Sequence, residues 1–136
     1  MPSGYSGTPL AKKLGVVDGQ KTWRVGMPDS VSADIASSGS RPALFSHPVP
    51  DLQMVHIFVT LRCELASRLA EARQFLAPNG MIWVSWPKKS SGKTTDISDE
   101  TVRAEAFPLG LVDVKVCAVD EIWSGLKLVI RKMNRL

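Results

Sequence analysis

A three-layer α/β fold, with a mostly parallel sheet ending in an antiparallel hairpin, is predicted by three observations on this 136-residue chain. First, Met54–Thr60 (MVHIFVT) and Met81–Trp86 (MIWVSW) are continuous apolar runs, the pattern of strands buried on both faces. Second, Leu61, Leu65, Leu69, Ala72 and Leu76 recur between them at helical spacing, giving an amphipathic helix long enough for a parallel crossover. Third, two β-rich runs, Leu111–Trp123 and Leu126–Lys132, meet at Ser124-Gly125, a tight hairpin signal. Strands alternating with helices through right-handed crossovers make the architecture Rossmann-like.

The other elements follow in chain order. Thr8 can cap a short helix with Pro9 at its first position and Gly15 at its exit. Asp18-Gly19 marks a turn. Lys21–Met27 sets Trp23, Val25 and Met27 against Thr22, Arg24 and Gly26, a strand alternation. Pro28–Pro50 is rich in Ser, Pro and Gly and is expected to be partly mobile, with one helical turn around Val31–Ile35 and a short strand at Ala43–Phe45. Pro78-Asn79-Gly80 should stop the central helix. Ser98 reads as a helix N-cap, with Ile97 and Val102 as a hydrophobic staple, and that helix should end near Pro108-Leu109-Gly110.

Composition bounds the rest. A 14.8 kDa chain with 44% hydrophobic and 22% charged residues suits a single domain over residues 1–136, large enough to form a core without disulfides or metals. No apolar run approaches the roughly 18 residues of a transmembrane helix, so no membrane partner is expected. The opening MPSGYSGTPLAKKLG lacks the apolar core of a secretory signal, which predicts a cytoplasmic protein. Cys63 and Cys117 form no CxxC pair and read as reduced, buried thiols. The net charge is +4 and the pI about 9.3. Its carriers, among them Lys12, Lys13, Arg131, Lys132 and Arg135, are scattered, so nucleic acid is not the expected partner.

The chemistry concentrates in Ser85–Asp96 (SWPKKSSGKTTD), which contains the tail of a phosphate-binding loop. Such a loop requires GxxxxGK[ST], because paired glycines let successive N–H groups wrap the phosphates. The first glycine would stand at Pro87, which has no N–H, and the lysine would open a helix, whereas the helix signal comes later at Ser98. A nucleotide-hydrolysing loop is therefore excluded. In open α/β sheets ligands collect beyond the carboxyl ends of the strands. The candidate ligand residues are accordingly Gly26, Asp29 and Ser30 after one strand, Thr60 after another, and Ser85, Trp86, Lys88, Lys89 and Lys93 after a third. The three lysines and nearby hydroxyls could hold an anion by charge-assisted hydrogen bonds.

Catalytic and metal signals are thin. His47 and His56 lack metal-ligand spacing, and His56 within MVHIFVT reads as a hydrogen-bonded strand residue. Cys117, beside Lys115, reads as facing the core, and Asp113, Asp120 and Glu121 form no acid–base pair. Trp83, Trp86 and Trp123 read as packing residues, with Trp86 beside Pro87 also able to form a flat ligand wall.

Ser6–Gly15 (SGTPLAKKLG), Met81–Gly92 (MIWVSWPKKSSG) and Gly110–Lys132 (GLVDVKVCAVDEIWSGLKLVIRK) together resemble a family of small bacterial proteins of unknown function, over nearly the whole chain. That resemblance implies a fold and no established activity. The second half, with Ala77–Gly80 (APNG) leading into MIWVSW and a final hairpin, also resembles the carboxy-terminal part of Rossmann-like methyltransferases. Those enzymes carry a glycine-rich loop after the first strand and an acidic residue after the second to hold a ribose. Here Gly26-Met27-Pro28-Asp29-Ser30 stands in place of that loop and no such acid is recognisable, so no cofactor is expected. The sequence thus points to a non-catalytic module binding a small anionic ligand or a protein partner. The alternative is a small methyltransferase-like transferase with an atypical cofactor site, and the sequence leaves catalysis open between the two.

Overall fold

The computed structural model of the protein describes residues 8–134. Ser6 and Gly7 of the first motif, and Arg135, lie outside the described residues. Six strands form one sheet in the order β2-β1-β3-β4-β6-β5. They are β1 (Lys21–Val25), β2 (Ala43–Phe45), β3 (Leu52–Phe58), β4 (Leu76–Pro87), β5 (Leu111–Ala118) and β6 (Trp123–Ile130). The pairings β1–β2, β1–β3 and β3–β4 are parallel, whereas β4–β6 and β5–β6 are antiparallel. This is the Rossmann-like sheet that the apolar runs predict, and β3 and β4 are neighbours joined by a helix.

Helices cover both faces. On one side lie α3 (Arg62–Phe75) and α4 (Asp99–Ala106), burying Leu65, Leu69, Val102 and Ala106 against Val55, Ile57, Ile82 and Val84. On the other lie α1 (Leu10–Leu14) and α2 (Asp29–Ala36), packing Leu10, Leu14, Val31 and Ile35 against Met54, Phe58 and Trp83. Because both faces are covered, successive residues of β3 are all buried from Met54 to Phe58. Trp83 is fully buried and its indole Nε1 donates to the Leu14 carbonyl at 2.8 Å, fixing α1 to the sheet.

Several boundaries differ from the sequence expectation. Helix α1 starts one residue late, with Pro9 rather than Thr8 at the N-cap. Strand β1 stops at Val25 because Gly26 takes φ 67°, and a Cβ there would lie 2.9 Å from the Phe58 carbonyl oxygen. Helix α3 ends at Phe75, before Pro78-Asn79-Gly80. Those three residues belong to β4, at the irregularity where β4 advances from Leu76 to Met81 while β3 advances from Leu52 to Met54. The hairpin turn is also not Ser124-Gly125, which lies within β6 opposite Trp86 and Ser85. Instead the Asp120 carboxylate accepts from the Ile122 and Trp123 amides, each at 2.8 Å, closing the turn ahead of β6. Gly125 is needed for space: a Cβ there would meet Val119 at 3.1 Å and the Trp83 ring at 3.3 Å. Cys63 is exposed on α3 rather than buried, while Cys117 is half-buried, and burial pushes its thiol up.

The Ser98 cap forms as expected, and as a full capping box with Thr101. Ile97 and Val102 are both buried beside it.

Candidate functional site

The phosphate-loop remnant is tied up by its own hydrogen bonds. Lys89–Ser91 form a single 3₁₀ turn in which the Ser91 and Gly92 amides donate to the Lys88 and Lys89 carbonyls, and the Lys93 amide donates to the Ser91 hydroxyl. Three successive N–H groups that would wrap a phosphate are thus spent within the turn. Thr95 and Asp96, the end of GKTTD, reach the start of α3. The Thr95 hydroxyl donates to the Thr60 carbonyl at 2.7 Å, and the Asp96 carboxylate accepts the Arg62 amide at 2.7 Å. Leu61 at the α3 N-cap has no side-chain acceptor, so Asp96 supplies one from 34 residues away.

The nine candidate ligand residues separate. Gly26 and Asp29 line a crevice described below, and Ser30 is exposed next to Asp29 on α2. Thr60 serves the contacts just named. Ser85 is fully buried and its hydroxyl lies 2.8 Å from His56 Nε2. Trp86 packs in the α3/α4 core. Lys88, Lys89 and Lys93 lie in the loop after β4, away from the crevice lining.

The crevice has a volume of about 460 Å³ and opens beyond the carboxyl ends of β1 and β2. Strand β1 is flanked by β2 on one side and β3 on the other, so the sheet's switch point lies between β1 and β3, and the crevice opens next to it, on the β2 side of β1. Arg24 enters it from β1, Asp29 and Ser32 from α2, and Leu44, Phe45 and Ser46 from β2 and its exit. A second cavity of about 160 Å³ adjoins it through Arg24, Ser32 and Leu44, and adds Ser40 and Arg41.

Arg24 is the unusual member. It sits mid-strand opposite His56, and its Nη2 atom is buried without a hydrogen-bond partner. Among the described residues neither Arg24 nor Arg41 forms an ion pair. Burial pulls the Arg24 guanidinium below its ordinary value. His56 is buried between Phe58 and Trp83, its Nδ1 is likewise unpartnered, and burial, with the Arg24 charge second, lowers it from 6.5 to about 3. His56 is therefore neutral, as the strand reading requires. The sequence reading missed Arg24, whose alternation with Trp23 and Val25 reads equally well as a solvent-facing strand position.

Catalytic groupings are weak across this crevice. Ser46 and His47 approach only at 3.4 Å, beyond the reach that activates a hydroxyl. Among the described residues no three His, Cys, Asp or Glu side chains gather as metal ligands, and no helix is long and apolar enough to cross a membrane.

A family model described as "Protein of unknown function (DUF3052)" matches residues 58–132. No curated protein matches the chain. Among solved structures the fold is similar to magnesium protoporphyrin IX methyltransferase from Synechocystis PCC 6803 with bound SAM. The TM-score is 0.64 at 10% identity, covering 88% of this chain and 74% of that one. It is also similar to Aeropyrum pernix fibrillarin in complex with S-adenosyl-L-methionine, with TM-score 0.55 and 16% identity over 88% of this chain and 73% of that one. LepI, solved in complex with SAM, gives TM-score 0.58 and 11% identity over 91% of this chain, which spans only 47% of LepI. At these identities the likeness is one of fold.

Proposed function

This chain belongs to the DUF3052 family of proteins of unknown function, and from that premise we propose that it is a binding module for a small anionic ligand, held in the crevice beyond β1 and β2. The observation that carries this reading is Arg24, a guanidinium in the lining of a crevice beside the sheet's switch point, with one buried nitrogen that has no hydrogen-bond partner. Leaving a buried donor unpaired costs about 1–3 kcal/mol, and more for a charged group, so an anion that draws the guanidinium into the crevice would recover a stabilisation the protein alone lacks. The crevice falls within the roughly 300–1,000 Å³ range of small-molecule sites. Lys88, Lys89 and Lys93 would contribute a favourable field from the loop after β4, two strands away from β1, rather than direct contacts.

The second reading, a methyltransferase-like transferase, draws support from neighbours solved with SAM. Against it, Gly26 is followed by Met27 and Pro28, and Pro28 offers no N–H to a cofactor. Ser46, not a carboxylate, follows β2.

Amide chemical-shift mapping of the chain with phosphate, citrate, ATP, SAM and S-adenosylhomocysteine tests both. Perturbations centred on Gly26, Ser32 and Ser46 with the simple anions are expected. Silence of those amides with every probe would overturn the binding reading. A response to SAM alone, with methyl transfer to an added acceptor, would establish the second.

A further inference from the structure

The two cavities joined at Arg24 differ in charge. The larger carries Asp29, together with Met27, Leu44 and Phe45 as apolar wall. The smaller is lined by Arg24 and Arg41 with the Ser32 and Ser40 hydroxyls, and no carboxylate lines it. Neither guanidinium is ion-paired among the described residues, and the Arg41 backbone amide is anchored by the Asp18 carboxylate at 2.8 Å, which fixes where that residue leaves the loop. Two forked cations with two hydroxyl donors match a group bearing several anionic oxygens better than a single carboxylate, because each guanidinium can bond two oxygens at once. The larger cavity suits the reverse chemistry. Asp29 can only accept, so it recognises hydroxyls, and the Phe45 and Leu44 side chains present apolar surface to a ring.

We infer that the ligand is a phosphomonoester with a hydroxylated, ring-bearing body, of the nucleoside monophosphate class, its phosphate between Arg24 and Arg41 and its hydroxyls toward Asp29. This rests on the reading of the crevice as a small-anion site and narrows it to one chemical class and one orientation. It also assigns roles to residues outside the lysine loop: Arg41 and Ser40 hold the phosphate, and Asp29 discriminates hydroxylated from deoxygenated bodies.

Calorimetry on the full chain with AMP, adenosine, 2′,3′-dideoxy-AMP and inorganic phosphate tests this, using wild type, Arg41→Ala and Asp29→Asn. Arg41 and Asp29 are exposed, so neither change disturbs the core. AMP is expected to bind at least ten-fold more tightly than adenosine. Arg41→Ala should erase that margin while leaving adenosine unchanged. Asp29→Asn should narrow the preference for AMP over the dideoxy analogue, which inorganic phosphate cannot show. Equal binding of AMP and adenosine, or an Arg41→Ala variant that binds AMP as the wild type does, would overturn the phosphate assignment. No binding of AMP or phosphate would overturn it as well. The broader crevice reading falls only if citrate and the other anions also leave Gly26, Ser32 and Ser46 unperturbed, so the two failures are distinguishable.

Discussion

His56 is a base kept neutral by its surroundings, and its protonation bears on stability. Its value falls from 6.5 to about 3 on folding, burial being the main cause and the Arg24 charge the second. Above pH 6.5 both folded and unfolded chains hold the neutral ring, and its contribution to stability is fully present. Between 6.5 and about 3 the unfolded chain takes up the proton and the folded chain does not, so stability is lost as pH falls through that window. The slope attributable to one such group approaches about 1.4 kcal/mol per pH unit. Urea unfolding at pH 7.5 and 4.5 should show wild-type stability dropping more steeply than that of His56→Gln, whose amide can still meet the Ser85 hydroxyl. Equal drops in the two proteins would mean that the ring is not held neutral by the fold. The same residue was legible as a strand histidine, because MVHIFVT has no polar face for it to occupy. Arg24 was not legible as a ligand group, because its alternation with Trp23 and Val25 reads equally well as a solvent-facing strand position.

At the level of elements, the hairpin shows how local chemistry can mislead. Ser124-Gly125 has the composition of a two-residue turn, yet glycine serves there to admit the Trp83 ring, and the turn belongs to Asp120. Replacing Asp120 with Ala should cost about 1–3 kcal/mol, since two amides lose their acceptor, whereas Asp120→Asn, which retains a side-chain oxygen, should cost less. Thermal melts of the two variants check this; equal losses would indicate that charge rather than the acceptor closes the turn. By contrast α4 was legible to the residue at its start, because the Ser98 cap and the Ile97–Val102 staple are local and complete. The start of α3 was not, since its acceptor, Asp96, arrives from across the sequence. The α2–β2 unit was glimpsed only as a turn and a short strand, because its Ser- and Gly-rich composition hides an eight-residue helix holding just Val31 and Ile35 in the core.

For the molecule as a whole, the order β2-β1-β3-β4-β6-β5 determines which edges can cooperate. Strand β3 separates β1 from β4, so the lysine loop after β4 lies two strand spacings, roughly 10 Å, from the crevice strand. That is about one Debye length at 0.1 M salt. The double variant Lys88→Ala/Lys89→Ala should therefore weaken anion binding in the crevice by less than about three-fold at physiological salt, and more at low salt, as a screened field does. Titrations at two ionic strengths check it, and a salt-independent loss of ten-fold or more would place direct contacts in the loop. The sheet itself was legible because its strands are continuous apolar runs. The crevice was legible only in Gly26 and Asp29, which follow the predicted strand; most of the rest of its lining comes from α2 and β2, the stretch whose Ser- and Gly-rich composition hides its structure.

The bond from the Trp83 indole to the Leu14 carbonyl has an optical consequence. A helix of five residues does not persist alone in water, so α1 exists only while docked. Trp83 loses its one polar partner, and gains access to solvent, whenever α1 lifts away. With Trp23, Trp86 and Trp123 replaced by Phe, its emission is thus a built-in fluorophore signal for the attachment of the amino-terminal helix, readable without any label.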